Sequence, residues 1–381
     1  MIKTNKKKKG ELALTKHCDF YGNRESKEEI LKQTNIQKIN WTELKDINHE
    51  SKMGKFFFFS PQALKGIEEY SEGFSVVDIF KQNTSGFKTH RDHFAIDFQK
   101  ETIVKKMEDF KSSSTDESIS LKYDLKDNRD WSISQARDNL KSLNNWKANV
   151  QQCLYRPFDK RFCYFSTIAM DYPRPETMQH MLNGENLGLI TMKGDRKPID
   201  EFRHFFVTKY ISEIHATDNA ADTAYLFPLY LYKSSIQEIN KINNEQTSLF
   251  NQSEEQTNIK SEVFQRKLNI KPVFWELVQS KYGNIEPEGF FAYLYAVFHS
   301  PTYRERYKEF LKIDFPRLPL TSNKELFAQL SEIGQELVDL HLMKSDKLND
   351  SPISFPVQGI NAVDTVSFDG NKVWINGTQY F

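Results

Sequence analysis

Arginine, aromatic residues and proline recur at short intervals between residues 155 and 232. The stretch opens with Tyr155-Arg156-Pro157-Phe158-Asp159-Lys160-Arg161 and closes with Phe227-Pro228-Leu229-Tyr230-Leu231-Tyr232. Because proline fixes its own φ angle, the arginines beside it have few directions in which to point. A guanidinium held in this way can clamp a phosphate or a guanine edge, or stack on a base. The pattern favours nucleic-acid binding, although a solvated loop with ordinary ion pairs would have the same composition.

A second basic motif, Gly86-Phe87-Lys88-Thr89-His90-Arg91-Asp92, precedes this stretch. Gly86 gives the chain freedom to turn, so we expect a loop here. Lys88 and Arg91 suit contacts with phosphate, the Thr89 hydroxyl can donate to a phosphate oxygen, and Asp92 can orient Arg91. Contact with DNA and a structural role are equally compatible with this pattern.

The arginines of the opening stretch have two interpretations. Arg156 and Arg161 flank Pro157, where they could brace the DNA backbone, or Asp159 could simply pair with one of them. We favour an architectural role. Arg174, beside Pro173, is a weaker candidate for DNA contact.

The densest basic turn of the strand-rich part is Lys193-Gly194-Asp195-Arg196-Lys197, which follows a predicted strand. Such a loop can enter a groove of DNA, with Arg196 bidentate to guanine and with Lys193 and Lys197 near phosphates. An exposed β-turn without any partner is an equally good interpretation.

Several motifs together resemble the C-terminal specificity region of Type ISP restriction–modification enzymes, in which one polypeptide carries nuclease, translocase, adenine-N6 methyltransferase and target-recognition parts. Their order and approximate spacing match that family over residues 20–380. Besides the two motifs above, the matching segments are Pro173-Arg174 with Met178 and His180, Asn186 to Ile190, His299 to Tyr307, Phe310 to Arg317, and Leu340 to Leu342.

The motifs of the catalytic parts of such enzymes are missing from this sequence. It contains no Pro-Pro pair, so it lacks the Asn/Asp-Pro-Pro-Tyr/Phe loop that the resemblance implies for an amino-methyltransferase. No Gly-x-x-x-x-Gly-Lys-Ser/Thr phosphate loop is present either. We therefore expect no catalysis and no cofactor in this chain by itself, with S-adenosylmethionine needed only by a methyltransferase portion supplied in cis or in trans.

The chain of 381 residues carries 52 basic and 52 acidic side chains, so its formal net charge is zero. Since DNA-binding proteins are usually basic, this neutrality predicts weak non-specific affinity and basic residues concentrated on one face. No apolar run reaches the roughly 18 residues of a membrane-spanning helix. Three cysteines without metal-ligand spacing, Cys18, Cys153 and Cys163, are typical of a reducing cytoplasm.

Patterning predicts an α+β fold with five segments. They are a disordered basic tail (1–19), a mixed N-terminal segment (20–150), a strand-rich DNA-recognition core (151–232), a polar linker or insertion (233–262), and a helical C-terminal domain ending in a β-hairpin (263–381). Predicted helices include Trp41 to Leu44 and Ser132 to Leu143, whereas Lys111 to Ser120 is predicted to be a loop. Phe56 to Phe59 is typical of a buried strand.

The C-terminal helices carry a regular apolar pattern. Leucine and isoleucine recur at intervals of three and four after a predicted N-cap at Ser322, at Leu326, Leu330, Ile333, Leu337 and Leu340. This stripe indicates core packing or a docking face for another domain.

These observations predict a module that recognises a double-stranded DNA target in the major groove and positions it for adenine methylation by another domain. Base-reading residues should differ between relatives with different targets, so shared motifs are expected to hold the backbone. Two alternatives stay open at this point: a nucleic-acid enzyme with an unrecognised active site, and a protein-interaction module without DNA binding.

Overall fold

The computed structural model describes residues 14–44, 48–51, 54–57, 65–195, 202–217, 222–232, 266–350, 354 and 356–381. The helices in these ranges are α1 (Arg24–Gln33), α2 (Ile67–Glu72), α3 (Val76–Ile79), α4 (Asp92–Ala95), α5 (Lys100–Lys111), α6 (Asp116–Tyr123), α7 (Ile133–Ser142), α8 (Pro175–Met178), α9 (Pro272–Tyr282), α10 (Pro287–His299), α11 (Pro301–Leu311) and α12 (Lys324–His341).

The strands in the same ranges are short. They are β1 (Lys16–His17), β2 (Thr42–Glu43), β3 (Asn48–Ser51), β4 (Gly54–Phe57), β5 (Phe74–Ser75), β6 (Thr84–Ser85), β7 (Ile96–Asp97), β8 (Val150–Arg156), β9 (Asp159–Tyr164), β10 (Gly188–Met192), β11 (Phe206–Thr208), β12 (Ile211–Ser212), β13 (Ala224–Pro228), β14 (Tyr230–Tyr232), β15 (Arg266–Leu268), β16 (Arg317–Leu318), β17 (Ser367–Phe368) and β18 (Val373–Trp374). This mixture confirms the predicted α+β class and the hairpin at the C-terminal end.

Two four-stranded sheets organise the middle of the chain. One has the order β11-β10-β13-β6 and is antiparallel throughout. The other has the order β12-β8-β9-β7, in which β12 runs parallel to β8 and the other pairs are antiparallel.

The first sheet is buried on both faces, and each face packs against a different hydrophobic core. Leu189 pairs with Phe227, and both belong to the core formed with α9 to α12. The next pair, Ile190 with Leu226, belongs to the core formed with α5, α7 and the second sheet. Because successive side chains of a strand point to opposite faces, one short run of apolar residues supplies both cores.

These cores do not follow the segment boundaries drawn from the sequence. Residues 67–80 pack into the same core as α9 to α12, and strands of residues 151–232 contribute to both cores. The predicted linker (233–262) and most of the predicted tail (1–19) lie outside the described residues, so the five-segment division stays a prediction.

Two local predictions were wrong. Residues 41–44 do not form a helix, because Thr42 and Glu43 pair with the strand at Lys16 and His17. Residues 111–120 are not one loop, because α5 extends to Lys111 and α6 begins at Asp116. The N-cap of α6 is Thr115, whose hydroxyl accepts a hydrogen bond from the Ser118 amide.

The predicted helix at 132–143 is confirmed as α7 with Ser132 as its N-cap. Of the predicted strand at 56–59, the first two residues belong to β4 and the others lie outside the described residues.

Helix α12 buries only part of the predicted leucine stripe, of which Leu330 and Leu337 pack against the helical core. Phe327, Gly334 and Val338 are buried, whereas Leu326 and Ile333 are 42% and 55% exposed. A Cβ atom at Gly334 would overlap the backbone carbonyl of Ala292 in α10, so glycine lets the two helices approach closely. The N-cap of α12 is Asn323 rather than the predicted Ser322, since the Asn323 carboxamide oxygen accepts from the Leu326 amide at 2.9 Å.

We expect Gly334→Ala to destabilise the protein by at least about 2 kcal/mol, because the added methyl group must push two packed helices apart. The matched control is Gly289→Ala in the first turn of α10, where a Cβ meets nothing within 4 Å. That change should be neutral or stabilising by about 0.5–1 kcal/mol. Urea unfolding measures both, and an equal midpoint for the two variants would contradict the close approach.

Candidate nucleic-acid interface

The Gly86 motif is an extended segment held between two other parts of the chain. Phe87 forms a parallel bridge with Glu213, and Lys88 forms an antiparallel bridge with Tyr172. A Cβ at Gly86 would overlap the Glu213 backbone, so the motif requires glycine for close approach and not for a turn. The Lys88 and Tyr172 backbones exchange hydrogen bonds of 2.9 and 3.0 Å, which places the two side chains beside each other.

Arg91 fixes this arrangement from inside the protein. Its guanidinium donates to Asp171 at 2.6 Å and to the Thr89 carbonyl at 2.8 Å, and it lies 3.8 Å from the centre of the Trp131 ring. Both Arg91 and Thr89 are buried, and the Thr89 hydroxyl is occupied by Asp92 and by the Arg91 amide. The predicted phosphate contacts of Thr89 and Arg91 therefore do not fit this geometry. The structure gives both residues a supporting position.

Arg91 has a different partner from the one predicted. Asp92 bonds to Thr89 and to the Tyr155 hydroxyl, whereas Arg91 pairs with Asp171, 80 residues away in sequence. Asp171 also accepts hydrogen bonds from His90 and from the Asn128 carboxamide. Burial acts to raise the pKa of Asp171, but the bonds from His90 and Arg91 outweigh it, so this pKa lies below its ordinary value.

The exposed side of this arrangement is centred on Tyr172, whose hydroxyl donates to Asp130 at 2.5 Å. The same carboxylate accepts two hydrogen bonds from Arg129. The His90 ring packs edge-on against Tyr172, the Arg129 guanidinium reaches the Tyr172 hydroxyl at 3.3 Å, and the guanidinium carbon of Arg174 lies 5.2 Å from the ring centre. We call Lys88, His90, Arg129, Tyr172 and Arg174 the Tyr172 patch.

Two cations of the Tyr172 patch have no carboxylate partner among the described residues. No hydrogen bond or ion pair of the Lys88 ammonium occurs there, and the Nε atom of Arg174 is buried without a hydrogen-bond partner. Arg174 has a left-handed backbone (φ 57°) as the N-cap of the short helix α8, which fixes the root of its side chain. An anion beside these groups would satisfy both cations.

Arg156 and Arg161 are instead part of a stack of planar groups. Their guanidinium carbons lie 3.9 and 4.1 Å from the centre of the Tyr155 ring, and Arg161 also lies 4.1 Å from Phe98. Arg156 donates to Glu213 at 2.7 Å, and Arg161 is bidentate to Asp159. Because these carboxylates neutralise both cations, the geometry supports the architectural role favoured from the sequence.

The predicted basic turn is only partly described. Lys193 is 59% exposed and lies 3.9 Å from Asp314. Gly194 has a left-handed backbone (φ 74°) and packs against the Lys312 carbonyl, which anchors the start of the turn to the end of α11. Arg196 and Lys197 lie outside the described residues.

Sequence reasoning missed Arg129, Asp171 and Tyr172. The cluster Asn128-Arg129-Asp130-Trp131 was a local signal, since charged residues beside a tryptophan are frequent at binding surfaces. Nothing in the spacing indicated that residues near 90, 129 and 172 meet. The described residues contain no group of three or more metal-ligating side chains, and no helix among them has the length and apolar character needed to cross a membrane.

The family model of the Type ISP C-terminal specificity domain matches residues 78–381, which confirms the resemblance drawn from the motifs. A comparison with curated proteins gives no match.

Three solved structures with this fold are similar over most of the chain. A DrdV–DNA complex has 22% identity and a TM-score of 0.56 over 83% of this chain and 29% of that one. A nuclease-deletion mutant of the Type ISP restriction-modification enzyme LlaGI, in complex with a DNA substrate mimic, has 20% identity and a TM-score of 0.58 over 94% and 31%. The ATP-dependent Type ISP enzyme LlaBIII bound to DNA has 19% identity and a TM-score of 0.55 over 85% and 20%. The chain thus spans less than a third of the length of each.

We expect Asp171→Asn to lower the free energy of unfolding at pH 7 by about 3 kcal/mol, because it leaves the buried Arg91 cation without a counter-charge. The pKa of Asp171 is lowered in the folded state, so its stabilisation is present above the unfolded pKa of about 3.9 and is lost as the pH falls through the folded value. The difference between wild type and variant should therefore shrink below about pH 4.

Asp124→Asn is the matched control, since the Asp124 side chain is 82% exposed and has a left-handed backbone that asparagine tolerates. Urea unfolding at pH 7 and at pH 3.5 measures both variants. A loss at pH 7 no larger than that of Asp124→Asn would show that Asp171 does not hold Arg91.

Proposed function

Since the chain belongs to the Type ISP C-terminal specificity domain family, we propose that it recognises a target sequence in double-stranded DNA for a Type ISP restriction–modification system. The observation that carries this proposal is the Tyr172 patch, where Arg174 lies beside the aromatic ring and Lys88 pairs with Tyr172 through the backbone. Neither cation has a carboxylate partner among the described residues. Such cations suit the phosphate backbone of duplex DNA.

In this proposal the patch positions the DNA, and other loops read its sequence. Contacts with phosphate fix the register of a protein on a duplex but carry no base information. The turn at Lys193, Arg196 and Lys197 is our candidate for base reading, because arginine is the side chain that most often reads guanine in the major groove. The stack of Arg156, Tyr155 and Arg161 would keep the β8–β9 turn rigid beside the duplex.

We assign no catalytic step to this chain. Adenine methylation would be the work of a methyltransferase portion that binds S-adenosylmethionine and draws the adenine out of the stack. This assignment rests on the sequence, which lacks the Pro-Pro pair of an amino-methyltransferase loop. The specificity module would bind the duplex and position it for that methyltransferase portion.

We expect the double variant Lys88→Ala, Arg174→Ala to bind a mixed-sequence 30-base-pair duplex more weakly and with a smaller salt dependence. Each lost phosphate contact should reduce the slope of log K against log salt by about 1, so the double variant should lose about 2. Fluorescence anisotropy over a series of salt concentrations measures both quantities.

The control is Lys27→Ala, Lys324→Ala, which removes the same charge from two exposed positions on α1 and α12. If both double variants reduce the salt slope equally, only net charge matters and the patch is not the contact. If neither variant changes binding, duplex DNA does not lie on the Tyr172 patch.

A further inference from the structure

A narrow slot lies where the β8–β9 turn, strand β11 and the end of α12 meet. Its walls are mainly the side chains of Phe158, Phe206, Tyr210, His341 and Met343, and we call it the Phe158 slot. Phe158 is 52% exposed and Met343 is 58% exposed, so two large apolar side chains stand at its mouth. The rings of Phe206 and His341 both meet Phe158 edge-on, at 6.3 and 5.5 Å between ring centres.

Both residues at the mouth have an unfavourable backbone conformation. Phe158 has φ 62° and Met343 has φ 59°, in the left-handed region that glycine adopts without strain. Glycine at either position would relieve the strain, but it would also remove a wall of the slot. Strain of this kind is concentrated at ligand-binding positions.

The inner end of the slot carries one oriented polar group. The Tyr295 hydroxyl is buried and bonds to Nδ1 of His341, so the ring orientation is fixed. Nε2 of His341 has no partner among the described residues and is available to a ligand. Burial lowers the pKa of His341, so at neutral pH its ring is uncharged and can exchange one hydrogen bond with a ligand.

The charges around the slot favour an anion. Lys160 and Lys209 belong to its lining, and none of the described lining residues is acidic. Lys209 forms an ion pair with Glu185 at 3.1 Å. Lys160 makes no ion pair within the described chain, and its ammonium lies 6.0 Å from the centre of the Tyr210 ring. Aromatic walls, one neutral hydrogen-bonding group and a basic rim together match a flat heteroaromatic ring that bears a phosphate.

We propose that the Phe158 slot binds an unstacked nucleotide, whose base packs against the aromatic walls and whose phosphate pairs with Lys160 or Lys209. Protein side chains bind single nucleotides in this way when a base has left its stack. The nucleotide can come from an unpaired position in a DNA strand or from free solution. This site goes beyond the proposed recognition of intact duplex, because nucleotide binding in the slot does not depend on that recognition.

The test uses the full chain and three probes: an intact 30-base-pair duplex, the same duplex with a one-nucleotide bulge, and deoxyadenosine monophosphate. The key variant is Phe158→Gly, which removes the ring and suits the left-handed backbone, so its fold should be kept. Phe368→Ala is the control, since it removes another exposed aromatic side chain, on β17. Thermal unfolding confirms that both variants fold.

We expect the bulged duplex to bind about tenfold more tightly than the intact duplex, the gain of one base–aromatic stacking contact. Phe158→Gly should abolish this gain, so that the bulged and intact duplexes bind this variant equally, whereas Phe368→Ala should keep the difference. Wild type that shows no preference for the bulge can still bind the free nucleotide. If Phe158→Gly loses that binding, the slot takes its nucleotide from free solution.

The inference is overturned if wild type neither prefers the bulge nor binds the nucleotide, or if both properties survive in Phe158→Gly. Failure of the chain to bind intact duplex would count against the proposed function alone, because the nucleotide probe reports on the slot independently.

Discussion

The buried ion pair between Arg91 and Asp171 is the interaction on which the proposed interface depends. It ties the Gly86 motif to residues 169–172, which are far apart in sequence. Since a buried charge without its partner is strongly destabilising, this pair allows few alternative arrangements of the two segments. The same carboxylate accepts hydrogen bonds from His90 and Asn128, so it also positions His90 of the Tyr172 patch and the segment that carries Arg129.

The sheet β11-β10-β13-β6 connects this interface to the rest of the molecule. One face of the sheet packs into the core that contains Phe87 and Trp131, next to the Tyr172 patch, and the other packs into the helical core. The Phe158 slot lies where elements of both cores meet, with Leu154 from one and His341 of α12 beside the other. A duplex held by the patch and a nucleotide held by the slot would therefore contact one continuous framework.

Local features of the fold could be predicted from the sequence, whereas the partners of the site residues could not. Ser132 and the polar residues after it are a local helix start, and Asp369-Gly370 between apolar residues is a local hairpin signal, so both predictions were confirmed. Thr42 and Glu43 became a strand through pairing with residues 16–17, which no local pattern reveals. Likewise, Lys88 and Arg91 have the same basic character in sequence, but only the position of Asp171 decides that Arg91 is buried and Lys88 is not.

The most direct test of the account is a selection of bound duplexes from a random DNA pool at about 100 mM salt, where non-specific binding is already weakened. Target recognition by this chain should enrich a short asymmetric consensus that contains an adenine. Recovery of that consensus only after a Type ISP methyltransferase portion is added would show that recognition requires both parts. No enrichment with or without that portion would contradict target recognition by this chain.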